Sequence, residues 1–323
     1  MTSSDANLII GHKKQLLQLA QDLDSNNLSH AYLFAGSPHL GKMTVARWFG
    51  THILTRGMDS EQKEVTETQI DKLLHRDFLV LDQLWMEERC EDWDVIAQTS
   101  NFPQQHRAKA KMKTDVISID DVREIQQQLN ETGDLPHRVC IIRKVERMQD
   151  AAANAFLKIL EEPPEGRVFI LTTETLTSLI PTILSRTRVM RFERAADRDL
   201  QVLLKDVTEE DASFILHVAQ GAPGIAIKLM NDPEALRAEK LLHTQAVSFW
   251  SSQKLLDRIK LLSPLEDRGP EADRFLFHLS LALRETPAYG SLQERSLMEL
   301  LQGFKTNAHR GLMMEQFAIS SSV

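Results

Sequence analysis

Cysteine is almost missing from this chain: 323 residues contain two, Cys90 and Cys140. Two thiols cannot build a disulfide framework or a four-thiolate zinc site. Cys140 sits in the apolar run Val139-Cys140-Ile141-Ile142, where a buried, inert thiol is expected. Long apolar runs are lacking as well. None approaches the roughly 18 residues that span a bilayer, so no membrane role is expected. The first ten residues lack the basic-then-apolar order of a secretory leader, and the expected location is cytoplasmic. There is no basic excess either, since 38 Lys and Arg face 46 Asp and Glu for a formal charge of -8. A free-standing duplex-DNA binder draws most of its affinity from phosphate neutralisation. Any work on nucleic acid is therefore expected to lean on partners.

What is present reads as a folded globular chain. Hydrophobic residues at 42% and charged residues at 26% exclude a collagenous or wholly disordered protein. At about 150 residues per domain, two domains are the starting expectation. Residues 11–27 read as an amphipathic helix with Leu16, Leu17, Leu19 and Leu23 on roughly one side. Ala31 to Ala35 has strand length and composition. A glycine loop, Gly36-Ser37-Pro38-His39-Leu40-Gly41-Lys42, follows at once and opens a helical pattern through Val45, Ala46, Trp48 and Phe49.

Residues 57–113 are polar and irregular, apart from an expected buried strand at 77–82. Packing of Phe78, Val80, Trp85 and Trp93 is expected to hold this segment. Within it Arg107, Lys109, Lys111 and Lys113 alternate with other residues, which fits either a phosphate-contacting edge or a solvated loop. Alternation then returns. Ser118 caps a helix bearing Ile119, Val122, Ile125 and Leu129, which Gly133 and Pro136 end. Arg138 to Ile142 is a strand, Asp150 opens a helix that Pro163-Pro164 stops, and Val168 to Leu171 is a further strand. Strands alternating with helices predict a mostly parallel sheet covered on both faces. From Asp197 onward the pattern is helical.

The spacing Gly36-x4-Gly41-Lys42 is that of a phosphate loop. Glycines let backbone N–H groups turn toward phosphate, and the lysine reaches the outer phosphates. A hydroxyl for Mg²⁺ belongs at the next position, which is Met43. Thr44 follows, but one residue on a helix is a turn of about 100° and is expected to aim it elsewhere. A carboxylate is also needed at the end of a neighbouring strand. After Val139 to Ile142 come Arg143 and Lys144, which can neither ligate a metal nor take a proton from water. Two expectations stay open: weak ATP or ADP binding at Gly36, Gly41, Lys42 and Thr44, or a vestigial loop that serves the fold.

At this point the chain resembles a known family, the AAA+ subunits of the bacterial DNA polymerase III clamp loader, and most closely its delta-prime branch. The resemblance covers residues 9–230. It rests on the run from Leu28 to Gly36, on Ile119-Asp120-x-Val122-Arg123, on Asp150 through Pro164, and on Pro181 through Arg186. It implies that Arg143 and Lys144 replace an Asp-Glu pair of the hydrolysing relatives. It implies too that Ile225, after Gly224, replaces an arginine that senses the γ-phosphate. Thr187 stands where the family generally has cysteine, and the four-cysteine zinc module is missing, so no zinc is expected.

The resemblance further implies that Ser185-Arg186 contributes a catalytic arginine in trans, placed against the ATP of a neighbouring subunit. A surface arginine paired with a nearby acid is the alternative. Arg188 and Arg191 are expected to be solvated or intramolecular. The architecture implied is an α/β fold: an AAA+ P-loop-type parallel sheet core (1–192) with a helical lid (193–236). An all-α C-terminal collar domain (237–323) follows. The function implied is a non-hydrolysing delta-prime subunit. It would work with tau/gamma and delta subunits, and through the complex with the sliding clamp and primer-template DNA. No intrinsic ATPase or polymerase activity, required cofactor or bound metal is expected. An ATP-hydrolysing motor subunit and a degenerate AAA+ binding module of another repair assembly are the alternatives.

Overall fold

The computed structural model describes residues 9–81, 101, 116–131, 133–285, 290–306 and 309–321. Cys90, Trp85, Trp93 and the alternating cations Arg107, Lys109, Lys111 and Lys113 lie outside the described residues. Contacts divide the chain into two compact units, Met1–Thr208 with Leu216–Ala226, and Glu209–Ile215 with Ile227–Val323.

The first unit is built on five parallel strands: β1 (Ala31–Ala35), β2 (Phe78–Leu81), β3 (Arg138–Ile142), β4 (Arg167–Thr173) and β5 (Arg188–Arg191). Their order is β2-β3-β4-β1-β5, with β1 beside β4 and β5. β1, and β3 after Arg138, are apolar, and both strands are buried along their length because helices cover both faces. One face carries α1 (Lys13–Asp24) and α2 (Lys42–Leu54), packed through Leu19, Val45 and Phe49. The other carries α4 (Ile119–Asn130) and α5 (Asp150–Glu161), packed through Val122, Ile125, Phe156 and Leu160. A further helix, α3 (Ser60–Asp71), lies within the segment read as irregular. Its few apolar positions hid it, but Asp59 caps it by accepting from the Gln62 N–H at 2.8 Å. Leu17 also departs from expectation. It is 65% exposed, so the inward side of α1 is carried by Leu19 and Leu23.

The capping expected at Ser118 is a full capping box. Asp121 accepts from the Ser118 N–H at 2.7 Å while the Ser118 hydroxyl accepts from the Asp121 N–H. β5 was not legible as a strand, because it is a short edge strand with an arginine at each end. At the opposite edge, among the described residues, β2 is met by Asn101. Asn101 accepts from the Val80 N–H at 2.7 Å and donates to the Phe78 carbonyl at 2.6 Å, imitating a neighbouring strand. Cys140 is buried as expected, and burial pushes its thiol well above the usual range.

The second unit is helical throughout its described residues. The short helices α6 (Pro181–Arg186) and α7 (Asp197–Gln201) belong to the first unit, and α8 (Glu209–Ala219) and α9 (Pro223–Asn231) are divided between the two. The second unit then continues with α10 (Pro233–Ser251), α11 (Leu255–Leu261), α12 (Pro270–Glu285), α13 (Ser291–Gly303) and α14 (Arg310–Ser320). Phe249, Phe275, Leu279 and Phe317 form its core. Glu239 of α10 pairs with Arg274 and His278 of α12 at 2.6 and 2.5 Å. Among the described residues no helix is long and apolar enough to cross a membrane.

A buried ion pair anchors the start of β2 to the start of β3. Asp77 and Arg138 are both fully buried and lie 3.0 Å apart. Asp77 also accepts from the Asp134 and Leu135 N–H groups at 2.9 Å. Arg138 donates to the carbonyls of Gln128, Glu131 and Arg76. Gly133 has to be glycine here, since a Cβ at that position would stand 2.3 Å from the Asp77 carboxylate. Removing one partner leaves the other charge buried and unanswered, which typically costs about 3–5 kcal/mol. Asp77→Ala is therefore expected to lose about that much in urea unfolding of the chain.

Candidate functional site

The glycine loop leaves β1 and enters α2, and its neighbours explain its composition. A Cβ at Gly36 (φ 155°) would stand 2.4 Å from the Phe192 carbonyl, so the loop passes too close for any side chain. Gly41 caps α2 with φ 86°, in the left-handed region that glycine adopts readily. Beside the loop lies a cleft of about 270 Å³, lined by residues 38–44 together with Arg143, Lys144, Thr172, Glu174 and Gly224. The structure therefore brings Gly41, Lys42 and Thr44 to one cleft, with the two cations that follow β3. The rotation expected to turn Thr44 away does not remove it from this lining.

Lys42 is turned inward. Its ammonium donates to the carbonyls of Gly36 and Ser37, the latter at 2.6 Å, and the side chain is buried. Burial pushes its pKa down from 10.5 to about 8; Glu174 and Glu146 oppose that shift, while Arg143 and Lys144 reinforce it. The lysine that would reach a phosphate thus closes the loop on itself.

At the ends of β3 and β4 the protein's own charges meet. The Lys144 ammonium is 3.3 Å from Glu174. Its backbone N–H, held at a φ of 55°, donates to the Thr172 hydroxyl at 3.1 Å. Glu146 accepts from the Glu174 N–H at 2.9 Å. The acids nearest Lys42 are therefore engaged with protein partners.

Mg²⁺ prefers about six oxygen ligands in octahedral array. Met43 offers none, and it packs against the sheet's core along with Ile225. Arg143 and Lys144 are cations. These residues do not fit an ATP-bound magnesium ion. Gly224 has a structural use, donating to the His39 carbonyl at 2.9 Å and packing so close that a Cβ would stand 3.0 Å from that oxygen.

Ser185 and Arg186 lie away from this cleft, at the end of α6. Arg186 Nη2 is 2.9 Å from Glu161 Oε1, an acid at the end of α5. Nη1 donates to the Thr182 carbonyl at 3.2 Å and contacts the Ser185 hydroxyl at 3.4 Å. A third of the Arg186 side chain is exposed. It borders an open groove of about 560 Å³ with Ser29, His30, Leu160 and Thr187. Arg188, in the same groove, is held inside the chain. It pairs at 2.6 Å with buried Asp22, which also accepts from the Tyr32 hydroxyl at 3.0 Å. Burial raises the Tyr32 pKa to about 12, so it stays a neutral donor. Glu161, Glu174 and Asp22 escaped the sequence reading because each partner lies on a different element and no spacing links them.

Comparison with known proteins shows what the chain is similar to. The sequence model of the family described as "DNA polymerase III, delta subunit" matches residues 11–196. The DNA polymerase III subunit gamma/tau of Mycobacterium bovis is 26% identical over 208 residues, which is 64% of this chain and 32% of that protein. The delta' subunit of Escherichia coli is 29% identical over 157 residues, 47% of each protein. The chain thus spans well under two thirds of the length of these relatives. A solved DNA polymerase III gamma subunit-related protein from Thermotoga maritima has the same fold, with a TM-score of 0.53 at 19% identity over 94% of this chain and 98% of that one. With its family match extending over more than half its length, the chain belongs to the bacterial DNA polymerase III clamp-loader AAA+ family.

Proposed function

We propose that this chain is a delta-prime-type clamp-loader subunit that does not hydrolyse ATP and supplies Arg186 to a neighbouring subunit's ATP. The observation that carries this reading is the end of β3. Two cations, Arg143 and Lys144, stand beside the loop where metal ligation and water activation need carboxylates. Met43 and the inward Lys42 support it from the other side of the cleft. The partners proposed are tau/gamma and delta subunits, and through them the sliding clamp and primed DNA. The lid and collar roles proposed for residues 193–236 and 237–323 belong to the same reading. Exposed Leu241, Leu256, Leu292 and Leu312 give the helical unit apolar surface for assembly.

Gamma/tau relatives favour a motor subunit as the second reading. Turnover separates the two. The isolated chain is expected to hydrolyse ATP no faster than background, and Arg143→Asp with Lys144→Glu is expected not to restore activity while Met43 and Ile225 remain. Robust Mg²⁺-dependent hydrolysis by the purified chain would falsify the delta-prime reading.

The loop is proposed to be vestigial, with weak nucleotide binding as the alternative, and pH tests the state of Lys42. Its folded pKa lies below the ordinary lysine value, so between about pH 8 and 10.5 the unfolded chain binds more protons. Stability contributed by this group therefore rises with pH across that window, and the buried charge opposes folding fully below it. Lys42→Met removes the charge. Its stability relative to wild type is expected to be highest near pH 7 and to decline toward about pH 10 in paired urea melts. A difference that stays constant with pH means that Lys42 carries no such depressed pKa.

Arg186→Ala tests the trans role. The variant is expected to fold and assemble normally, because the side chain is partly exposed and its ion pair lies at the surface. ATP turnover by the assembled complex is expected to fall only in part, since one of its sites is affected. At that site the loss is on the order of 10³-fold, or about 4 kcal/mol of transition-state stabilisation. Unchanged turnover of the complex, with a destabilised isolated chain, would make Arg186 structural.

A further inference from the structure

We infer that Glu161 is the positioning residue for Arg186, holding its guanidinium ready for an anionic group on a neighbouring subunit. The inference rests on the trans-acting reading of Arg186. Two helix ends converge to make the contact. Glu161 is the last residue of α5, which Pro163-Pro164 terminates, and Arg186 is the last residue of α6. The carboxylate holds Nη2 at 2.9 Å, while Thr182 and Ser185 hold Nη1 from the guanidinium's own helix. Ser185 is itself fixed, donating to the Thr182 carbonyl at 3.0 Å. Contacts from two elements therefore set the plane of a side chain that otherwise samples many rotamers.

Local physics does not explain an acid here. A helix C-terminus carries partial negative charge and disfavours an anion, and Glu162 adds another acid next in sequence. The pair is also too exposed to add much to folding, with side-chain exposures of 33% for Arg186 and 49% for Glu161. Its contribution is orientation. A guanidinium has five N–H donors, and these contacts leave some of them for an incoming phosphate across the open groove. A side chain oriented beforehand loses little freedom when charge develops on a transferring phosphoryl group. The benefit falls on the chemical step and not on ATP affinity.

The test uses the assembled complex and a double-mutant cycle. Glu161→Ala is expected to lower kcat at the affected site on the order of ten-fold, with KM for ATP unchanged. Glu161→Asp should recover part of the loss. Combined with Arg186→Ala, it should cost nothing beyond Arg186→Ala alone. The thermal midpoint of the isolated chain should stay within about 2 °C, as expected for an exposed pair. Glu161→Gln removes the charge with minimal change of shape, and reads the same effect should the alanine variant fail to fold. An unchanged kcat, or a double-variant loss equal to the product of the single losses, overturns the role of Glu161 while Arg186→Ala remains impaired. If Arg186→Ala itself leaves kcat unchanged, the trans reading and this inference fall together.

Discussion

The buried pair of Asp77 and Arg138 ties the register of two strands to the end of a helix. Each charge opens the strand beside it, so the parallel pairing of Phe78 with Val139 places the two side by side. A one-residue slip of β2 against β3 would turn every side chain of β2 to the wrong face. It would also leave a guanidinium and a carboxylate buried apart. The attraction between them need not add much net stability, because desolvating two charges is costly. What it does is make the alternatives expensive. The carbonyls of Gln128 and Glu131 reach the same guanidinium, so the end of α4 is set by the pair as well.

From that register follows the placement of the residues after β3. The Arg143 N–H bonds to the Leu81 carbonyl, which continues the β2–β3 ladder to its last residue. Arg143 and Lys144 are thereby delivered to the mouth of the loop cleft. There Lys144 and Glu174 neutralise one another across the ends of β3 and β4, in the region where hydrolysing P-loop proteins keep a metal ion and its ligands. Lys42 is satisfied differently, by donating to the neutral carbonyls of its own loop, and its buried charge stays disfavoured.

Arg186 lies away from this cleft. The groove that it borders holds two ion pairs, but only Arg188 is paired to a buried acid, Asp22, which a buried tyrosine also bonds. Arg186 is tied to an exposed carboxylate at a helix end, a contact that solvent screens. Within one groove, one arginine is paired with a buried acid and the other with an exposed one.

Much of this was legible in the sequence. β1 and β3 were bounded by their apolar runs, the Ser118 cap by its own chemistry, and the loop by its glycines. That two cations, Arg143 and Lys144, follow β3 needed no structure, and neither can ligate a metal in any fold. Other features had no local signal. α3 buries too few apolar residues to show a helical period, and β5 is short and flanked by charge. The pairs Asp77–Arg138, Arg186–Glu161, Arg188–Asp22 and Lys144–Glu174 join residues from different elements, and only the folded chain brings them together. The inward turn of Lys42 likewise follows from burial and nearby carbonyls rather than from residue type. Sequence determined which chemical groups this protein owns and which it lacks. Tertiary structure decided which charges neutralise each other, because that depends on distances between elements that local spacing does not encode.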